Sequence, residues 1–223
     1  MNVLIGFSGK MGAGKDTLAP RVMRELGYTG VKHMAFADAL RAEVNGFIHV
    51  IRADDLMAMA ILPSDPVLTN IIDMLKKPVK TGVIKDAHDR SNTMRTVLQL
   101  WGEHQREDDD SYWCDRFAES YRKNMRQPVM VTDCRYPNEL DMIHKLGGYV
   151  VRLDASSAAR ARRLLNRDHH LPDLHAFTHI SETAADDYMD FDVRVNTDGL
   201  NPEQLTVLIA DRLRPLLNDA GNR

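Results

Sequence analysis

Gly9-Lys10-Met11-Gly12-Ala13-Gly14-Lys15-Asp16-Thr17 lies between an apolar run, Val3-Leu4-Ile5-Gly6-Phe7, and a segment that repeats Leu18, Val22, Met23 and Leu26 at helical spacing. Strand, glycine loop and helix in that order is the context a phosphate-binding loop requires. Gly9, Gly12 and Gly14 permit backbone angles closed to other residues, so successive N–H groups can converge on phosphate oxygens at a positively polarised helix N-terminus. Lys15 adds the point charge that reaches β- and γ-phosphates. The pattern GxxxxGK(S/T) places a hydroxyl directly after the lysine, whereas here Asp16 holds that position and Thr17 follows. An aspartate beside a polyphosphate is repelled unless a cation lies between them. Asp16 is therefore expected to ligate Mg²⁺, directly or through water, and Thr17 to donate to phosphate. Gly12, Ala13, Gly14, Lys15, Asp16 and Thr17 form the expected ATP-binding segment.

Composition is that of an ordinary soluble protein: 223 residues, 43% hydrophobic, 27% charged, net charge −3. At about 150 residues per domain, one domain with insertions fits this length better than two. The near-neutral balance leaves no electrostatic footprint for nucleic acid or an anionic membrane. No stretch reaches the roughly 18 consecutive apolar residues of a membrane span. Cys114 and Cys134 lie far apart without a CxxC spacing, which argues against a disulfide framework or a zinc site and for a reduced, cytoplasmic setting.

Outward from the loop, the first helix is expected from about Gly14 to Leu26, a short strand over His33 to Phe36, and a helix starting at Ala37-Asp38-Ala39-Leu40-Arg41. Asp38 and Arg41 then follow the second strand, where an acceptor could be gripped, although an N-cap aspartate and a solvated arginine account for them equally well. Val44 to Lys85, with Pro63, Pro66, Pro78 and the fragment Leu56-Met57-Ala58-Met59-Ala60, reads as an inserted helical subdomain; its approximate span is 38–92. Met94, Val97, Leu98 and Trp101 predict a helix over Thr93 to Gly102, ended by the glycine. Arg95 and Gln99 share one face of it, suited to a phosphate and a base edge or simply to solvent.

Glu107-Asp108-Asp109-Asp110 before a helix closing on Arg122, Lys123 and Arg126 complements the helix dipole, and Trp113 falls on the apolar stripe of that helix. Gln127 to Asp133 predicts a buried parallel strand ending in an acid, which makes Asp133 a second metal candidate; Arg135 lies two residues on and Glu139 opens the next helix. Tyr149 to Leu153 is the next strand. Arg160, Arg163 and Arg167 fall on one helical face, either as a solvated basic stripe or as guanidinium charge for a transferring phosphoryl group on a lid spanning about 155–185. His169, His170, His175 and His179 are irregularly spaced across Pro172 and lack cysteine partners, which argues against a metal. Phe191 to Asn196 is a last strand, and Asn201 to Leu217 a closing amphipathic helix.

Strands alternating with helices predict an α/β protein with a central parallel sheet. Gly14-Lys15-Asp16-Thr17, Phe36-Ala37-Asp38-Ala39-Leu40, the Arg95 to Gly102 helix, Tyr112-Trp113, Thr132-Asp133-Cys134-Arg135 and Thr178-His179-Ile180-Ser181-Glu182 together resemble, in this order, the phage-type deoxynucleoside monophosphate (dNMP) kinases. The resemblance implies the three-layer P-loop NTPase fold with a helical acceptor-binding insert and an arginine-rich lid, and transfer of the γ-phosphoryl of ATP to a dNMP. It assigns Lys15, Asp16 and Thr17 to ATP and Mg²⁺, and Arg95, Gly102, Trp113, Asp133, Arg135 and Glu139 to the acceptor side. Trp113 is then open to two readings, core or base-stacking, and Asp133 to metal or acceptor. With Arg160, Arg167 and Arg135 around the transferring group, the expected partners are ATP and a dNMP, with a homodimer left open. Two alternatives stand: a kinase for another phosphorylated acceptor, since animal-type phosphomevalonate kinases resemble the loop, Trp101-Gly102-Glu103 and the later D-x-R, and a non-catalytic nucleotide sensor.

Overall fold

The computed structural model describes residues 3–53, 65–76, 86–88, 91–169, 177 and 179–221. The expected helix fragment at Leu56–Ala60, Pro63, Pro78, His170 and His175 lie outside them. Strands β1 (Leu4–Ser8), β2 (Lys32–Met34), β3 (Val129–Cys134), β4 (Tyr149–Asp154) and β5 (Val193–Asn196) alternate with helices α1 (Lys15–Glu25), α2 (Ala37–Ala53), α3 (Pro66–Lys76), α4 (Asn92–Asp108), α5 (Tyr112–Lys123), α6 (Pro137–Lys145), α7 (Ser157–Asp168), α8 (Ile180–Thr183) and α9 (Pro202–Gly221).

The strands form one all-parallel sheet in the order β2-β3-β1-β4-β5. β1 is its centre, and all five of its residues are buried, which is why it reads as an unbroken apolar run rather than an alternation. Ser8 is in register with Cys134 of β3 and Arg152 of β4. That register brings the chain segments leaving β1, β3 and β4 to one edge of the sheet, where open parallel sheets hold their ligands.

Packing divides the chain into two units, one of residues up to Ala35 and from Ala118 on, the other Phe36–Phe117. The core of the first joins Ile5, Phe7, Leu18, Val22, Met23, Val151, Leu153, Ile209 and Leu213, with α9 packed along α1. Each such side chain contributes about 1.5–3 kcal/mol by leaving water.

The second unit is helical. Val44 and Ile48 of α2, Ile71 of α3, and Met94 and Val97 of α4 fill its centre. The expected subdomain ended near residue 92, but α4 packs on both α2 and α3, so the compact unit extends to Phe117. Gly102, expected to end a helix, sits inside α4, which continues to Asp108. A Cβ there would come within 3.3 Å of the Arg106 side chain and 3.5 Å of Leu40. Close packing at this point outweighs the roughly 1 kcal/mol that glycine costs a helix.

Candidate phosphate-binding site

The loop after β1 adopts the backbone its glycines allow. Gly9, Gly12 and Gly14 have φ of 146°, 80° and 104°. Two of these glycines also answer close contacts: a Cβ on Gly9 would fall 2.5 Å from the Leu153 carbonyl oxygen, and one on Gly12 2.9 Å from that of Arg160. Gly14 forms the N-cap of α1, so the loop runs directly into the positive end of that helix.

Lys15 is 8% exposed, and its ammonium donates back to the carbonyl oxygens of Gly9 and Lys10. Burial lowers its pKa from the ordinary 10.5 to about 8; the Arg135 guanidinium pushes the same way, while Glu182 and Asp16 oppose. Asp16 and Thr17 stand exposed in the first turn of α1.

Three further segments converge on the loop. From the end of β3 comes Arg135, whose Nη1 donates to Glu182 Oε1 and, at 3.4 Å, to Ser181 Oγ. Glu182 itself, on α8, accepts the Met11 backbone N–H at 2.6 Å. From β4, the buried Arg152 donates to Ser8 Oγ at 3.2 Å, to Asp154 at 3.1 Å and to Asp186 at 3.0 Å; Asp186 also pairs with Lys10 at 2.6 Å. From α7, Arg160 donates to the Met11 carbonyl, and Arg163 to the carbonyls of Gly12 and Ala13 and to Thr197.

The basic face expected at Arg160, Arg163 and Arg167 is thus divided in use. Arg160 and Arg163 hold loop carbonyls, whereas Arg167 is bound to Asp168, with Asp16 close enough to favour its charge as well. The Nε of Arg160 is buried with no hydrogen-bond partner among the described residues.

Asp133 is the half-buried penultimate residue of β3, at the same sheet edge as the loop. Glu139, assigned by resemblance to the acceptor side, is 3% exposed, and its Oε2 accepts the backbone N–H of Arg135 at 2.7 Å and of Tyr136 at 3.1 Å. A carboxylate that accepts two main-chain donors at the start of α6 positions Arg135.

In the second unit, Asp38 lies in the first turn of α2, and Arg41 is half-buried on the same helix. Arg95 and Gln99 share α4, and Arg95 Nη1 is buried with no hydrogen-bond partner among the described residues. Trp113 is core. Its ring is 2% exposed, packs edge-on to Tyr112, and donates its N–H to the Gly102 carbonyl at 3.1 Å, so no face is offered for base stacking.

Sequence reading passed over Lys10, Arg152 and Asp186 and gave Glu182 no role. A charged residue inside the apolar run Tyr149-Val150-Val151-Arg152-Leu153 was the available signal, because a buried arginine must be paired.

Comparison with known proteins bears on this geometry. No protein-family model matches the chain. Over 167 residues it is 25% identical to the "Putative deoxynucleotide monophosphate kinase" of Acanthamoeba polyphaga mimivirus, an alignment covering 70% of this chain and 76% of that protein. A gluconokinase from Sinorhizobium meliloti 1021 shares the fold, with a TM-score of 0.50 and 16% identity over 98% of this chain and 95% of that one. Among the described residues, no helix is long and apolar enough to cross a membrane.

Proposed function

We infer that the chain, a kinase of the P-loop superfamily by fold and by loop, transfers the γ-phosphoryl of ATP to a deoxynucleoside 5′-monophosphate. The observation that carries the kinase chemistry is the glycine loop with its buried Lys15, ringed by Arg135, Arg152, Arg160 and Arg163 at the C-terminal edge of the parallel sheet. The mimivirus relative supports the choice of acceptor.

In this reading, main-chain N–H groups of the loop hold the β-phosphate and Lys15 swings from the carbonyls of Gly9 and Lys10 onto the β- and γ-phosphates. An acceptor phosphate oxygen attacks the γ-phosphorus in line, the bond to the β,γ-bridging oxygen breaks, and ADP leaves. Charge spreads over the equatorial oxygens, and Arg135 and the α7 arginines are the groups that neutralise it. Arg95, with a buried Nη1 that lacks a protein partner among the described residues, is the acceptor-phosphate clamp, because a guanidinium with a donor left over is suited to a bidentate anion. Asp38, Arg41 and Gln99 are the other acceptor candidates.

Mg²⁺ would be held by Asp16 and Asp133 together with phosphate oxygens, and it supplies charge neutralisation of the triphosphate. Among the described residues no group of three or more metal-binding side chains occurs. Two carboxylates without a protein cage suit an ion that keeps its waters and binds through substrate phosphates.

A coupled assay for ADP release with ATP, Mg²⁺ and each dNMP in turn tests the reading. Turnover that requires a dNMP is expected. ADP release indifferent to every dNMP would reject it.

A further inference from the structure

We propose that Glu182 is the loop's internal anion: its carboxylate takes a phosphate position at the loop and is replaced there by a phosphate group of the bound nucleotide. The inference rests on the glycine loop being a phosphate site, as argued above, and adds the residue that holds the site when no phosphate does.

Glu182 belongs to a surface segment in which its neighbours Ile180 and Thr183 are exposed, yet it is itself 6% exposed, with its side chain turned inward. One carboxylate oxygen takes the Met11 N–H at 2.6 Å and the other takes Arg135 Nη1. A loop amide and a guanidinium are the donors a phosphoryl oxygen would use, and they are strong ones when charge-assisted. The carboxylate is also near enough to Lys15 to favour its ammonium form, so it supports the same three cationic or donor groups that a polyphosphate would.

A carboxylate and a phosphate cannot share these donors. Two anions buried against one another repel, and the Met11 N–H has a single proton to give. Entry of the triphosphate therefore releases Glu182 from the loop, and the free energy of that release is subtracted from nucleotide affinity. Without the carboxylate, the loop would leave the half-buried Arg135 guanidinium with only its long contact to Ser181 Oγ and the Met11 N–H without this acceptor, which is the more costly arrangement.

Glu182→Gln keeps the shape and removes the charge. Two readouts separate surrogate from structural support: the melting temperature of the empty protein, and the affinity for pyrophosphate and for ADP measured by titration calorimetry. The expected result is a lower melting temperature without ligand combined with tighter binding of both ligands, by about tenfold or more. Weaker or unchanged binding in Glu182→Gln, with the wild type binding normally, overturns the proposal and leaves the phosphate-site reading standing. Wild-type protein that binds neither ligand overturns both. If Glu182→Gln does not fold alone, recovery of native near-ultraviolet circular dichroism on adding pyrophosphate supports the proposal, and no recovery at millimolar pyrophosphate overturns it.

Discussion

Lys15 carries opposing demands in one side chain. Burial first, and the Arg135 guanidinium next, hold its pKa at about 8, so near neutral pH much of the charge is present but poorly solvated. A polyphosphate placed against it favours the ammonium and raises that pKa. Nucleotide binding above pH 8 must then take up a proton, and affinity falls as pH rises through about 8. Titration calorimetry of ADP at pH 8.5 in two buffers of different ionisation enthalpy should show net proton uptake; no uptake would place Lys15 away from the phosphates. The folding linkage runs in the matching direction. A lysine pKa below its ordinary 10.5 means that the unfolded chain binds the proton more tightly, so Lys15 costs stability below pH 8 and that cost fades as pH climbs toward 10.5. Arg95 offers a separate test. Losing a charge-assisted contact to a phosphate costs about 1.5–3 kcal/mol, so Arg95→Met should raise KM for the dNMP roughly 10- to 100-fold while KM for ATP stays put. Steady-state kinetics with each substrate varied would show it.

At the scale of elements, the loop and α7 are fitted to each other. Gly12 has φ of 80° and its Cα faces the Arg160 carbonyl, while Arg163 reaches the carbonyls of Gly12 and Ala13. Gly12→Ala should therefore both strain the loop and push α7 away. A fall in melting temperature together with at least a tenfold loss of ADP affinity is expected, read by thermal melts and calorimetry. Wild-type values for both would mean that the contact is incidental. The loop itself was legible in the sequence, because spacing alone dictates where its glycines, Lys15 and the following helix must lie. What α7 does was not. Periodicity placed Arg160, Arg163 and Arg167 on one face, but it carries no information about which carbonyls that face meets. Gly102 misled for a related reason: local propensity ends a helix there, and tertiary packing against Leu40 carries α4 through it.

Across the whole molecule, stability rests on apolar packing rather than on its many surface charges. Leu213 is fully buried against α1 and the sheet, and Leu213→Ala should cost about 2–5 kcal/mol in urea denaturation. The exposed Arg21–Glu203 pair joins the same two helices at 2.8 Å, yet Arg21→Ala should leave the midpoint nearly unchanged because solvent screens the pair. The α/β class and the parallel sheet were readable from alternating strands and helices, since buried parallel strands such as β1 and β3 are continuous apolar runs. The order of strands was not, because register is set by pairing of Ser8 with Cys134 and Arg152, both more than a hundred residues away from it in sequence. The same distance hid Glu182, which meets Met11 only once the sheet has formed. All these features converge on a loop built to hold a polyphosphate and pass on its last phosphoryl group. Following γ-labelled ATP with wild-type protein and Lys15→Ala, in the presence of Mg²⁺ and a dNMP, asks this most directly. Label should appear in the dNDP with wild type and fall by orders of magnitude in a folded Lys15→Ala; equal transfer by both proteins, or none by wild type with any dNMP, would contradict it.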